Sequence, residues 1–169
     1  MSGLKGRERL QPSLLDRLTD HDPAARRDGP EQQALTLAQL RAAVLRDLAA
    51  LLNTSNLATL QDLEDTPLAA KSVVNFGIPG FAGLLSSSSR IFALEDELAT
   101  AIRTYEPRIR SETLKVRTRE TDEQTGRPTL VFEIEGELWA QPVPIQLFLE
   151  TKIEIETRLA VVTEAKSPR

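Results

Sequence analysis

Tyr105-Glu106-Pro107-Arg108-Ile109 is the stretch on which the fold of this chain turns. Upstream of it the apolar residues recur with a helical period; downstream they alternate. Pro107 has no backbone N–H and pushes the preceding residue toward extended geometry, so a helix running into it has to stop at or just before Glu106. An acid and a base, two residues apart, are thereby set on a stiff corner between a helix and a sheet. We read that corner as part of an assembly joint and not as a catalytic site.

The helix that enters the corner carries Ile91, Leu94, Leu98, Ile102 and Tyr105 at spacings of 3, 4, 4 and 3, with Glu95, Asp96, Glu97 and Arg103 mostly on the solvent side. Ser86 to Ser89 offer several caps for its start. An earlier helix has the same stripe in Leu37, Leu40, Val44, Leu48 and Leu51. Thr36-Leu37-Ala38-Gln39 opens it as a capping box, in which hydroxyl and amide each satisfy an otherwise unpaired N–H of the first turn. Asn53 is its expected C-terminal stop. Between the two helices, Asn56 to Asp65 adds a short turn that Pro67 is expected to break. Ser72-Val73-Val74-Asn75-Phe76-Gly77-Ile78-Pro79-Gly80 reads as an extended piece entering a tight loop. A glycine-rich phosphate cradle is the weaker reading of this loop, since no Lys follows at Walker spacing and no dinucleotide fingerprint is present.

Beyond Ile109 the period becomes two. Leu114, Val116 and Thr118 share one face, and Lys115, Arg117 and Arg119 the other. After a turn rich in Asp, Gly and Pro, from Thr121 to Pro128, Leu130, Phe132 and Ile134 oppose Glu133, Glu135, Glu137 and Val131. An antiparallel hairpin of these two strands sets a basic row beside an acidic one, each pair contributing roughly 0.2–1 kcal/mol. Pro142 and Pro144 bracket a crossing segment. The third strand alternates from Ile145 to Thr157, well beyond the usual length of about 5–6 residues. A strand so long leaves hydrogen-bonding groups free along its edge unless something covers them. The expected fold is therefore α+β: a small antiparallel three-stranded sheet in the C-terminal half, packed against two main helices, with an N-terminal helical arm.

That arm is Pro12-Ser13-Leu14-Leu15-Asp16-Arg17-Leu18, where Leu14, Leu15 and Leu18 share one helical face. Its apolar face either folds back on its own core or docks on a partner; both readings stand at this level. Met1 to Arg9 are expected to be mobile, and the breaker-rich Thr19 to Gln33 to be linker. His21, the sole histidine, has no metal-ligand set around it in sequence and is read as a solvated loop residue. The division expected is residues 1–35 as flexible arm and linker, 36–163 as one α+β domain, and 164–169 as a disordered tail. Lys+Arg is 21 against Asp+Glu at 25, a net charge of −4, which gives no sign of a phosphate-binding surface and argues against nucleic acid as a partner. The absence of cysteine rules out disulfides and thiolate metal sites and fits a reducing compartment. No signal-peptide core and no bilayer-spanning apolar run occur, so the expectation is a soluble, cytosolic protein without cofactor or direct membrane insertion.

Four segments in order resemble one family, the type VI secretion baseplate subunit TssE, related to phage baseplate wedge and sheath-initiator proteins. They are Pro12 to Leu18, Leu51-Leu52-Asn53-Thr54, Ser72 to Pro79, and Glu106-Pro107-Arg108. Their order and spacing run from about the tenth residue to the last strand. Phe76 stands where relatives often carry Tyr before the glycine, which leaves an aromatic in place. The resemblance implies a structural, non-enzymatic role at the junction of the wedge proteins TssF and TssG, with TssK nearby, and the first ring of the TssB/TssC sheath. It implies a cytoplasmic location on a baseplate docked at the inner membrane. It also implies that Glu106, Pro107 and Arg108, with the sheet, form the part that copies a sheath subunit's joining domain. The arm, with Leu14, Leu15 and Leu18, is implied to contact the wedge.

Three other readings bear on the same residues. Glu106 and Arg108 could form an internal ion pair that stiffens the corner, which is compatible with docking. Phage relatives have carried a lysozyme-like label, and a peptidoglycan-type glycoside hydrolase needs two carboxyl groups across a bond, one with a raised pKa. A cation near Glu106 would move its pKa the wrong way for an acid, and one Trp, one Tyr and five Phe are few for a sugar-stacking cleft. The remaining reading is a small α+β adaptor domain with an unrelated client.

Overall fold

The computed structural model describes residues 13–19, 36–80, 88–119, 129–139, 144–154 and 156–165. The expected mobile N-terminus, the linker with His21, the serine caps at Ser86 and Ser87, the turn at 121–128 and the last four residues lie outside them. Helices α1 (Leu14–Leu18), α2 (Leu37–Leu52), α3 (Pro67–Ala70) and α4 (Ser88–Tyr105) precede strands β1 (Lys115–Arg119), β2 (Thr129–Leu138), β3 (Ile145–Glu154) and β4 (Ala160–Glu164).

Helix α2 starts as its sequence dictates. Gln39 N donates to the Thr36 hydroxyl, and Thr36 N donates back to Gln39 Oε1 at 2.8 Å. Of its stripe, Leu40, Val44, Leu48 and Leu51 are buried, while Leu37 in the first turn remains exposed. Helix α4 buries Leu94, Leu98 and Ile102 and ends at Tyr105, one residue before the residue that Pro107 constrains.

The strands form one antiparallel sheet in the order β1-β2-β3-β4. α4 lies along β1 and α2 along β4, so one face of the sheet carries both helices. Leu130, Phe132, Ile134, Leu147, Leu149 and Ile153 meet the helical stripes in a single core. Full burial of each such side chain contributes about 1.5–3 kcal/mol. The other face is the charged one: Lys115 stands opposite Glu135 and Arg117 opposite Glu133, as the basic and acidic rows require. Glu133 and Glu150 also face each other across β2 and β3, and Arg119 relieves that repulsion by reaching Glu133 at 3.3 Å and Glu150 at 3.7 Å.

Three expectations need correction. The sheet has four strands and not three, because the long alternating run ends at Glu154 and the chain folds back into β4. Arg158 makes that reversal with φ at 60°, a conformation usually left to Gly or Asn, so no turn residue marks it in the sequence. The expected crossing segment at Pro142 lies outside the described residues; the strands flanking it are paired, with Leu138 opposite Ile145. Pro67 begins α3 at the position where a missing N–H costs nothing, and does not merely break a turn. Val73–Asn75 is a 3₁₀ turn where an extended piece was expected.

Gly77 shows why this middle segment needs glycine. Its φ is +127°, and a Cβ there would lie 2.4 Å from Thr54 O. That close approach lets Ile78 N donate to Thr54 O at 2.9 Å and Asn56 N to Ile78 O at 3.0 Å, pinning the loop to the end of α2.

Candidate functional site

The corner after α4 is fastened from two sides. Its main chain pairs with the end of β2: Arg110 N donates to Glu137 O at 2.9 Å and Trp139 N to Arg108 O at 2.7 Å. Its side chains form a fork. Arg108 Nε donates to Glu106 Oε1 at 2.7 Å and Nη2 to Glu106 Oε2 at 2.5 Å, while Arg108 N reaches Oε1 at 3.1 Å. This is the two-pronged geometry that a guanidinium offers and an ammonium does not. Glu106 is only 3% exposed. The acid of the corner is thus an internal strut, its carboxylate wholly occupied by Arg108, while Pro107 is exposed and Arg108 half-buried.

Arg108 also bonds Asp47 of α2, Nη2 to Oδ2 at 2.6 Å. Burial disfavours its charge, but the hydrogen bonds and fields of Glu106 and Asp47 outweigh this and hold its pKa above the ordinary value. The chain of alternating charges continues. Asp47 Oδ1 accepts from Arg46 Nε at 2.8 Å, and Arg46 Nη1 meets Asp16 of α1 at 2.5 Å. The hydrogen bond from Arg46 holds the Asp16 carboxyl below its ordinary pKa. Ser13 caps α1 and donates to Asp16 as well, at 2.7 Å. An unbroken ionic path therefore joins the arm, α2 and the corner. Arg108 Nη1 is buried without a hydrogen-bond partner among the described residues, an uncommon state for an interior donor.

The apolar face of the arm does not fold back on the core. Leu14, Leu15 and Leu18 are 70%, 60% and 74% exposed, so α1 is held by its polar side and turns its apolar face away from the core. Asp47 and Arg46, which lie off the apolar stripe of α2, are the link between the two predicted elements. Nothing in a single sequence signals a pairing 61 residues apart. Trp139 was also missed: it is 59% exposed and joined through its backbone to Arg108, which puts the sole Trp of the chain beside the corner.

Among the described residues no group of acidic, histidine or cysteine side chains could hold a metal ion, and no helix is long and apolar enough to cross a membrane. Both outer strands are partly closed by helix side chains. Glu95 of α4 accepts from Thr118 N of β1 at 2.5 Å, and Asn53 at the end of α2 bonds Ala160 of β4.

A family model described as baseplate wedge protein gp25 matches residues 38–143, a span that takes in nearly all of α2, α4, the corner and β1–β2 but leaves α1 and all of β3 and β4 outside. No curated protein matches the chain. One similar solved structure, from Geobacter sulfurreducens and carrying a provisional tail-lysozyme label, is 16% identical. It covers 80% of this chain and 100% of its own, with a TM-score of 0.43, too distant to bear on the chemistry here. The family match spans more than half of the sequence and includes the whole charged corner, so the chain belongs to the baseplate wedge protein gp25 family.

Proposed function

We propose that this chain is a non-enzymatic structural component of a type VI secretion baseplate, of the TssE kind. In this reading it links the wedge proteins TssF and TssG, with TssK nearby, to the first TssB/TssC ring and helps sheath assembly begin. It works in the cytoplasm, on a baseplate docked at the inner membrane. The observation that carries the reading is the family match across the corner and both main helices.

The geometry supports a division of labour. The arm offers three exposed leucines on a helix fastened by one ion pair, a suitable anchor for an apolar groove on the wedge. Pro107, Arg108 and Trp139 offer a rigid surface toward the sheath, with Glu106 acting through Arg108 and not by direct contact. Arginine and tryptophan are the residues most often found to dominate interface energetics. Glycoside hydrolysis is disfavoured because a general acid must be free to donate a proton, and both oxygens of Glu106 accept from Arg108. The test is a pull-down of tagged protein against TssF–TssG and against TssB–TssC. Deleting residues 1–18 is expected to reduce wedge capture and Arg108→Ala to impair sheath assembly. If neither change affects either step, the division of labour is wrong. If the intact protein captures neither set, the baseplate assignment itself falls.

A further inference from the structure

The segment between the two main helices is built inside out. From Asn56 to Phe76 the sole buried residue is Asn56, a polar one, while Leu60, Leu68, Val73 and Val74 are 85%, 87%, 81% and 64% exposed. Its two 3₁₀ turns, Leu57–Thr59 and Val73–Asn75, and helix α3 bury none of their residues. Polar groups hold it together instead. Asn56 Oδ1 accepts from Thr59 N at 3.1 Å. Asn75 ties the three elements into one unit: its Oδ1 accepts from Ala58 N and its Nδ2 donates to Ala70 O, both at 2.9 Å. The Tyr105 hydroxyl of α4 donates toward Ser72 O and Asn75 O, at 2.9 and 2.8 Å, and fastens that unit to the helix. A surface fixed by its own hydrogen bonds loses little entropy on docking, and apolar side chains gathered on such a surface mark an interaction site.

Charge and backbone decide what fits there. Asp62, Glu64 and Asp65 lie in the same segment, with Lys71 as its one base, and Asp96 stands across from it on α4. None of these four carboxylates has a cation within ion-pair distance among the described residues. Between the segment and α4 runs a groove of about 410 Å³, lined by Ala70, Gly77, Ala101 and Thr104, small residues that let a partner come close. The main chain of the segment is already engaged: Leu60 N donates to Leu57 O, Ala70 N to Thr66 O, Ser72 N to Ala69 O and Phe76 N to Val73 O. It offers no ladder to an incoming strand, so the partner has to satisfy its own backbone, which a helix does.

We infer that this segment and the adjoining groove of α4 are a docking surface besides the arm and the corner, and that its occupant is an amphipathic helix of a partner protein, with a leucine-rich face flanked by lysine or arginine. Such a helix lays its apolar face into the groove and its cations beside the carboxylates. The inference goes beyond the baseplate reading and does not depend on it. A second copy of this chain supplies no such helix among the described residues: α2 and α4 turn their stripes into the core, and α1 is five residues long, about one and a half turns. The open face of the sheet also carries carboxylates, but there Arg119 spans Glu133 and Glu150, and Lys152 meets Glu150.

The test uses the full chain and two synthetic amphipathic helices of about five turns, one of leucine and lysine, the other of leucine and glutamate. Calorimetry is expected to show binding of the lysine helix and none of the glutamate helix. Amide NMR shifts on titration are expected in residues 57–76 and along 96–104 of α4. Leu68→Ser combined with Val73→Ser is expected to weaken binding about tenfold, and Leu159→Ser, an exposed apolar residue beside β4, to leave it unchanged. The replaced side chains are already in water, so thermal melts should not move. Glu64→Gln combined with Asp65→Asn is expected to weaken binding about threefold and to flatten its dependence on NaCl. Failure of the lysine helix to bind, equal binding of both helices, shifts centred on Glu133 and Glu150, or undiminished binding by the double serine variant overturns the inference. Dimers of the intact protein in sedimentation that are lost in the double serine variant would give the surface to a second copy and overturn it as well.

Discussion

Replacing Glu106 with alanine is the sharpest test of how the corner is held. The substitution removes both carboxylate oxygens that receive Arg108 Nε and Nη2, leaving Arg108, whose side chain is 20% exposed, with Asp47 as its sole anion among the described residues. Breaking a buried ion pair from one side costs about 3–5 kcal/mol, since the remaining charge is stranded away from water. Asp47 remains at 2.6 Å and the guanidinium keeps some contact with solvent, which places the expected loss near the lower limit, about 3 kcal/mol. In a domain of this size each kcal/mol lowers Tm by roughly 2–4 °C, so a fall of about 6–12 °C is expected. The measurement is urea and thermal denaturation followed by circular dichroism, in low salt and again at 1 M NaCl, because a buried pair is only weakly screened. Glu106→Gln should lose almost as much, since its amide N–H₂ would face Arg108 Nη2 donor to donor. A loss below about 1 kcal/mol, or one abolished by salt, would show that the pair is an ordinary surface bridge and that the corner is stiffened by something else.

Gly77→Ala should destabilise by about 2–4 kcal/mol, combining strain at φ +127° with the contact at Thr54 O, and a denaturation midpoint unchanged from the native protein would refute the tight approach. Thr151→Val should stabilise by about 1 kcal/mol, because the buried Thr151 hydroxyl has no partner among the described residues and valine fills the same space; urea unfolding reads the gain. Asp16→Ala should release α1, seen as faster amide exchange at Thr19, whose N–H is bonded to Leu15 O, with a global stability change within about 1 kcal/mol. Acid should act alike. Because docking depresses the Asp16 pKa below its ordinary value of 3.8, the contact is present in full above that value and is lost as pH falls through the depressed one. Protection of Thr19 that persists after Asp16 has been protonated would show that another contact holds the arm.

Much of the fold was legible because it is written in local chemistry. The capping box at Thr36, the period of 3.6 in the two main helices, the stop imposed by Pro107 and the paired charge rows of β1 and β2 each depend on residues a few positions apart, or on one strand beside its neighbour. The fourth strand was not legible: its reversal at Arg158 uses a positive φ in a residue that seldom adopts one. For the same reason β3, whose length left its edge groups to be accounted for, proves to be paired on both sides, by β2 and by β4.

The chain alone determined that a helix gives way to a sheet at a bend carrying one acid and one base, because proline geometry and side-chain period are properties of neighbouring residues. Tertiary structure decided that the acid is interior, that Asp47 and Arg46 wire the bend to the arm, and that Asn53 closes one residue of the outer strand 107 positions away. Those outcomes depend on which surfaces come together when the apolar stripes are buried, and burial of a stripe specifies a packing partner only when the whole chain is present.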